Sequence, residues 1–227
     1  KYSPFNTLTP EQEQVSQEIL FNAIDCLESR ETGTSVLSGK AGTGKSIVLI
    51  HMMYTLMSAM NVTYNDEDLT PDEQLELGIR ISLSNKIRDY VKRHGNLKIA
   101  FVVPMTSIRK TFKAVFAASK GTGLKSNMVM GPQDVLKEDY DIVFVDESHR
   151  LARRKGITSY GSFDEACARL GLDPMVSTQL DMIQKKSKYS VLVYDGCQTV
   201  KAADLTPEQF QRSLDLRIRT AHRVILQ

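Results

Sequence analysis

Residues 39–46 read Gly39-Lys40-Ala41-Gly42-Thr43-Gly44-Lys45-Ser46, which matches the phosphate-loop pattern G-x-x-x-x-G-K-[ST] at every position. A short predicted strand (34–38) leads into this loop, and a predicted apolar helix (44–60) follows it. Glycines allow the backbone N–H groups of such a loop to face phosphates, and the helix start adds positive charge. The pattern predicts a nucleotide site in which Lys45 binds the β- and γ-phosphates and Ser46 ligates Mg²⁺. A glycine-rich turn that matches by chance is the alternative, and the strand–loop–helix context argues against it.

Two adjacent acids end the apolar run of residues 140–150, which reads YDIVFVDESHR. The run is typical of a strand buried on both faces, and functional groups collect where parallel strands end. We predict that Asp146 holds Mg²⁺ and that Glu147 orients or deprotonates the water that attacks the nucleotide. Glu147 favours a hydrolase over a kinase, because a phosphotransferase should exclude water. An acidic, exposed strand end is the alternative, and His149 is either a coupling residue or a packed one.

The remainder of the chain alternates predicted strands with helices, which indicates an α/β fold with a mostly parallel sheet covered by helices on both faces. Residues 61–95 are polar, and we predict a helical insertion there rather than a part of the core. The first helix begins at Thr9-Pro10-Glu11-Gln12, a capping box that recurs at residues 206–209. The further predicted strands are 99–103, 128–130, 142–146, 191–195 and 224–226.

Composition limits the class of protein further. The 227 residues carry a formal net charge of +2, so any nucleic-acid surface has to be a local patch. The three cysteines lie far apart with no CxxC pair, which suits a reducing compartment and argues against a zinc site or a disulfide scaffold. No signal peptide or membrane span is predicted, so we expect an intracellular, cytoplasmic protein with no membrane partner. The ends at Lys1 and Gln227 lead us to expect a fragment of a longer chain.

Four segments in this order, GKAGTGKS, VVPMTSIRKTF, IVFVDESHRL and VLVYDGCQ, resemble the first motor domain of superfamily 1 helicases. The DESHRL form is most similar to the Schlafen-type helicase-like domain. The resemblance covers the chain apart from residues 61–95 and implies a P-loop NTPase with a RecA-like fold over residues 1–227. It also implies ATP and Mg²⁺ as cofactors and single-stranded DNA or RNA as a partner. A second motor domain and an arginine-bearing motif would then lie beyond Gln227.

The resemblance implies further site residues. Gln198 resembles the glutamine that senses the γ-phosphate and would act in catalysis together with Lys45 and Glu147. Gln12 resembles a glutamine that reads the edge of adenine, and the same Thr-Pro-Glu-Gln at 206–209 leaves a role in helix capping alone as the alternative. The segment that would grip a single-stranded backbone comprises Pro104, Met105, Thr106 and Ser107.

Two basic clusters are candidates for contacts with nucleic-acid phosphates, which carry no sequence information. The first is Arg109, Lys110 and Lys113 on the helix after Pro104, with Lys120 and Lys125 beyond it. The second is Arg150, Arg153, Arg154 and Lys155. A solvated charged face is the alternative for either cluster, and few aromatic residues are available for base stacking.

Three functions are compatible with these patterns. A helicase or translocase motor, an ATPase dependent on nucleic acid, is favoured by the Pro104 segment and Gln198, whereas the near-neutral net charge and the few aromatic residues leave room for another function. A nucleotide-dependent switch that acts on protein partners without moving along a strand is the alternative. A nucleotide kinase accounts for the phosphate loop but not for Asp146, Glu147 and Gln198 together.

Overall fold

The computed structural model describes residues 8–40, 42–61, 71–195, 202–216 and 222–226. For residues 71–77 and 222 it describes the backbone but not the side chains. Its strands are β1 (Gly33–Gly39), β2 (Ile99–Val102), β3 (Val129–Met130), β4 (Tyr140–Val145), β5 (Ser187–Tyr194) and β6 (His222–Leu226). Its helices are α1 (Pro10–Glu28), α2 (Lys45–Asn61), α3 (Pro71–His94), α4 (Thr106–Ala118), α5 (Tyr160–Leu170), α6 (Gln179–Lys185) and α7 (Pro207–Asp215).

The six strands form one sheet in the order β3-β2-β4-β5-β1-β6, and every pair is parallel. Strand β5 therefore lies between β1, which precedes the phosphate loop, and β4, which precedes the acidic pair. The register aligns Leu192 of β5 with Val36 on one side and Val145 on the other. All the strands end at the same edge, so the two predicted segments come together there.

Helices cover both faces of the sheet. Side chains alternate between the two faces along each strand, and buried apolar residues lie on both. On one face Phe101 and Phe144 join a cluster that includes α1, α2, α3 and α4. The Phe101 ring meets Phe112 of α4 edge-on, with a centroid distance of 5.0 Å. On the other face Val102 and Val145 pack with residues of α6 and α7. The α/β, RecA-like fold predicted from the sequence is confirmed.

Helix α3 corrects the prediction that residues 61–95 lie outside the core. Its residues Leu83, Ile87 and Tyr90 are buried in the same cluster as α1 and α2. These buried residues recur at helical spacing in a segment that is otherwise polar and charged, and the sequence prediction rested on that polar character. In the part of the chain that the structure describes, no helix is both long and apolar enough to cross a membrane.

Candidate nucleotide-binding site

The phosphate loop joins the end of β1 to the start of α2, and its conformation depends on glycine. Gly44 has φ +81, a left-handed conformation that residues with a side chain rarely adopt. A Cβ atom there would also approach Nε2 of Gln12 to 2.8 Å. The loop is braced internally by Thr43, whose Oγ1 donates to the carbonyl of Lys40 at 3.0 Å. Ala41 lies outside the described residues.

Lys45 is turned into the loop and is only 7% exposed. Its Nζ donates to the carbonyl of Gly39 at 2.6 Å and to the carbonyl of Lys40 at 2.8 Å. The same Nζ lies 3.7 Å from a carboxylate oxygen of Asp195. The ammonium group is therefore held at the mouth of the loop by oxygen atoms, in the place where the motif requires a cation for the β- and γ-phosphates.

Ser46 and Asp146 meet across β5. The Ser46 hydroxyl lies 2.9 and 3.0 Å from the two carboxylate oxygens of Asp146. Asp146 is buried, and this burial raises the pKa of its carboxyl to about 6, while the hydrogen bond from Ser46 opposes the shift and the charge of Glu147 adds to it. A hydroxyl and a carboxylate so close together form a set of hard oxygen donors, which suits Mg²⁺.

Glu147 follows directly in a left-handed conformation, with φ +50 and ψ +48. Such a backbone costs about 1–3 kcal/mol for a residue other than glycine and persists where the surroundings enforce it. The side chain is about a fifth exposed, at 22%, and one carboxylate oxygen lies 3.1 Å from Nε2 of His149. The turn thus directs Asp146 inward to Ser46 and leaves the carboxylate of Glu147 partly open to water.

Gln12 of α1 closes the helix cap, one of the two roles that the sequence left as alternatives, and also contacts the phosphate loop. Its Oε1 accepts from the backbone N–H of Thr9 at 3.0 Å, which closes the capping box. Its Nε2 donates to the carbonyl of Thr43 at 2.9 Å and so contacts the phosphate loop. Gln209 closes an equivalent box on α7. The contact with adenine stays a prediction, and the position of Gln12 beside the loop is compatible with it.

Asp195 is a site residue that the sequence reasoning missed. It follows β5, is buried, and contacts Lys45, because β5 lies next to β1 in the sheet. The sequence attached the function of its segment to Gln198, which lies outside the described residues. The available signal was an acid directly after an apolar strand, the same pattern that identified Asp146.

Residues 33–226 match the family described as Schlafen group 3, DNA/RNA helicase domain. The chain belongs to this family. The match includes β1, the phosphate loop and the acidic strand end, but begins after α1 and Gln12. A search of the curated proteins finds no match for the chain.

The predicted single-strand segment of this Schlafen group 3 domain lies at the same edge of the sheet, between β2 and α4. Met105, Thr106 and Ser107 are exposed, and Pro104 is partly buried. Arg109 differs from the expectation, because its guanidinium donates to the carbonyls of Val103 at 3.0 Å and Pro104 at 3.1 Å. Arg109 therefore shapes the segment from within, and the exposed cations of α4 are Lys110 and Lys113.

The three arginines of the second basic cluster are engaged in internal contacts. Arg150 pairs with Asp204 at 3.3 Å, and Arg154 pairs with Asp164 at 2.7 Å. Arg153 donates to the carbonyl of Ala202 at 2.8 Å. These bonds tie the segment after Glu147 to the rest of the Schlafen group 3 domain. They leave its arginines less available to an external phosphate than the lysines of α4.

Proposed function

We propose that the chain binds ATP with Mg²⁺ and hydrolyses it as the motor domain of a nucleic-acid-dependent ATPase. The observation that carries the proposal is the convergence of Lys45, Ser46 and Asp146 at one edge of the sheet. Membership of a DNA/RNA helicase family supports the nucleic-acid part.

Each residue has a part in the proposed reaction. Lys45 would bind the β- and γ-phosphate oxygens, which would replace the carbonyls it now contacts. Ser46 and Asp146 would hold Mg²⁺, whose charge neutralises the triphosphate when bound. Glu147 would take a proton from water as the water oxygen attacks the γ-phosphorus and the bond to the ADP oxygen breaks. Asp195 would keep Lys45 aligned through its buried charge.

Two variants test this proposal. Lys45→Ala should abolish tight MgATP binding, because it removes the cation that would bind the β- and γ-phosphate oxygens. Glu147→Gln should keep ATP binding and lose hydrolysis, because an amide of the same size cannot accept the proton. Calorimetry gives the affinity, and phosphate release by the intact protein gives the rate.

Glu138→Gln is the matched control, since Glu138 precedes β4 at the opposite edge of the sheet. It should behave as the unmodified protein in both assays. Hydrolysis by Glu147→Gln at the unmodified rate would refute the assignment of the base. Unchanged affinity in Lys45→Ala would refute the assignment of the loop.

The internal engagement of Arg109, Arg150, Arg153 and Arg154 favours a second candidate, a switch that uses ATP to act on protein partners. Hydrolysis by the intact protein, measured with and without single-stranded DNA and RNA, distinguishes the two functions. A motor should be stimulated by at least one of these strands, whereas a switch should respond to neither.

A further inference from the structure

His149 lies in an unusual position for a polar side chain. The residue is 1% exposed, and its Nε2 lies 3.1 Å from the carboxylate of Glu147. Both ring nitrogens are buried, and neither has a hydrogen-bond partner among the described residues, so the approach of Nε2 to Glu147 is a close polar contact at 3.1 Å without the geometry of a hydrogen bond. A buried polar group without a hydrogen bond is costly, so the surroundings of the ring have to keep it in this place.

An aromatic column holds His149 in this position. The ring of Tyr194, at the end of β5, meets the imidazole edge-on with a centroid distance of 6.2 Å. Tyr194 in turn stacks on Phe210 of α7 at 4.1 Å, with an interplanar angle of 20°. Phe210 is buried in the core on that face of the sheet. The imidazole thus contacts the carboxylate of Glu147 and the ring of Tyr194, and Tyr194 in turn packs on α7.

The backbone on both sides of this column is tied together. The N–H of Leu205, just before α7, donates to the carbonyl of Leu151 at 3.0 Å. The Ser148 hydroxyl donates to the carbonyl of Val193 at 2.6 Å. The short helical turn that carries His149 is therefore bonded both to β5 and to the segment that leads into α7, which restricts movement of the ring.

We propose that His149 is a positioning residue for Glu147, and that α7 sets the direction of the carboxylate through Phe210 and Tyr194. The inference rests on the proposed function, in which Glu147 is the base. Among the described side chains, His149 provides the polar contact at the Glu147 carboxylate. Without this contact, the carboxylate of Glu147 could rotate about its side-chain bonds. The attacking water would then no longer be aligned with the γ-phosphorus.

The direct test compares His149→Leu with His149→Gln in the intact protein. Leucine fills the space under Tyr194 without a donor, whereas glutamine keeps an N–H donor. Misplacement of a catalytic group by about 1 Å costs about 100-fold in rate, so His149→Leu should lower kcat by about 10- to 100-fold. The KM for ATP and the Kd for the nucleotide should stay within about twofold, because neither reports the direction of Glu147. His149→Gln should recover part of the lost kcat.

A second comparison uses two buried residues of α7. Phe210 belongs to the aromatic column, while Leu214, one turn later and equally buried in the same cluster, does not. Both Phe210→Ala and Leu214→Ala should lower Tm, but only Phe210→Ala should lower kcat at unchanged nucleotide affinity. Equal effects on kcat from the two variants would show that α7 contributes stability alone. This pair also decides the matter if His149→Leu does not fold.

Glu147→Gln separates the inference from the proposal beneath it. If Glu147→Gln abolishes hydrolysis while His149→Leu retains the unmodified kcat, His149 does not position the base and the proposed function stands. If Glu147→Gln hydrolyses ATP normally, the base itself is assigned wrongly and the proposed function fails. Loss of kcat in both variants, with partial recovery in His149→Gln, supports the inference.

Discussion

At the scale of single residues, Asp146 is the group whose chemistry depends most on pH. Its carboxyl is buried at the end of β4, and burial raises its pKa to about 6. A cation can bind this carboxylate only after the proton has left, so binding of Mg²⁺ and loss of the proton are linked. The hydroxyl of Ser46 would be released from Asp146 to share the metal.

We predict that the Mg²⁺-dependent part of the affinity for ATP falls as the pH decreases through about 6, where Asp146 becomes protonated. Asp146→Asn should bind ATP with little dependence on Mg²⁺ and without this change between pH 7 and pH 5. Calorimetry with and without the metal at each pH measures the effect. A pH dependence that survives in Asp146→Asn would assign it to another group.

The same pKa makes a prediction for stability without metal. The folded value of about 6 lies above the ordinary value of 3.8, so the folded protein holds this proton more tightly than the unfolded chain. The contribution of Asp146 to the free energy of unfolding is therefore fully present below pH 3.8 and lost as the pH rises through 6. Urea unfolding of the unmodified protein and Asp146→Asn, compared across this range, should show the difference.

The sequence predicted the individual site residues unevenly, for a physical reason. Lys45, Ser46 and Asp146 belong to motifs whose chemistry fixes their positions, and the structure brings them together. Arg109 looked available on a basic helix, but its guanidinium packs against Gly131, where a Cβ atom would come within 2.6 Å of Nη1. The direction of a long side chain depends on such distant neighbours, which no local pattern contains.

At the scale of elements, α3 supports the nucleotide site indirectly. Its buried Leu83 and Ile87 pack in the cluster that contains α1 and α2. Three ion pairs also join it to α1, namely Arg80 with Glu13, Lys86 with Asp25, and Arg93 with Glu28. Gln12, in the first turn of α1, contacts the phosphate loop. Helix α3 therefore stabilises the loop through its contacts with α1. The helical pattern was readable from the sequence, whereas its docking partner was not.

Apolar packing, rather than charge, should hold α3 in place. Ile87→Ala should lower the free energy of unfolding by about 2–5 kcal/mol, since it leaves a cavity in the core. Arg93→Ala should lower it by about 0–1 kcal/mol, because exposed ion pairs contribute little. Urea unfolding measures both, with the exposed Lys92→Ala as a control that should change almost nothing. A larger loss in Arg93→Ala than in Ile87→Ala would reverse this ranking.

At the scale of the whole molecule, exposed positive charge lies on α4, the helix that begins at the same edge of the sheet as the nucleotide site. Lys110 and Lys113 of α4 are exposed, and that helix contains no acid. Parallel strands were predictable from the alternation of strands and helices. The order that puts β5 between β1 and β4 was not, because it depends on contacts between distant parts of the chain.

Reversing charge on this edge should weaken binding to single strands. We expect Lys110→Glu with Lys113→Glu to reduce the slope of log affinity against log salt by about 0.7 per lost phosphate contact. Lys185→Glu with Lys188→Glu makes the same change of charge at the opposite edge, where β5 begins, and should leave the slope unchanged. Titrations of labelled strands at several salt concentrations give the slopes. Equal reductions in both double variants would indicate a general charge effect instead of a binding face.

The distribution of cations also predicts how residues 1–227 behave by themselves. Phosphoryl transfer is accelerated by a cation beside the γ-phosphate, which stabilises the negative charge there as the bond breaks. An arginine in this position typically raises the rate by about 10³–10⁵. Lys45 is the buried cation at the loop, whereas Arg150, Arg153 and Arg154 are bonded to Asp204, Ala202 and Asp164. We therefore expect residues 1–227 to bind MgATP but to turn it over slowly, with little stimulation by DNA or RNA. Phosphate release by this segment, with and without strands, is the measurement. Fast, strand-stimulated turnover would show that one of these arginines leaves its partner and completes the site. If that arginine is Arg150, Arg150→Ala should abolish the fast turnover.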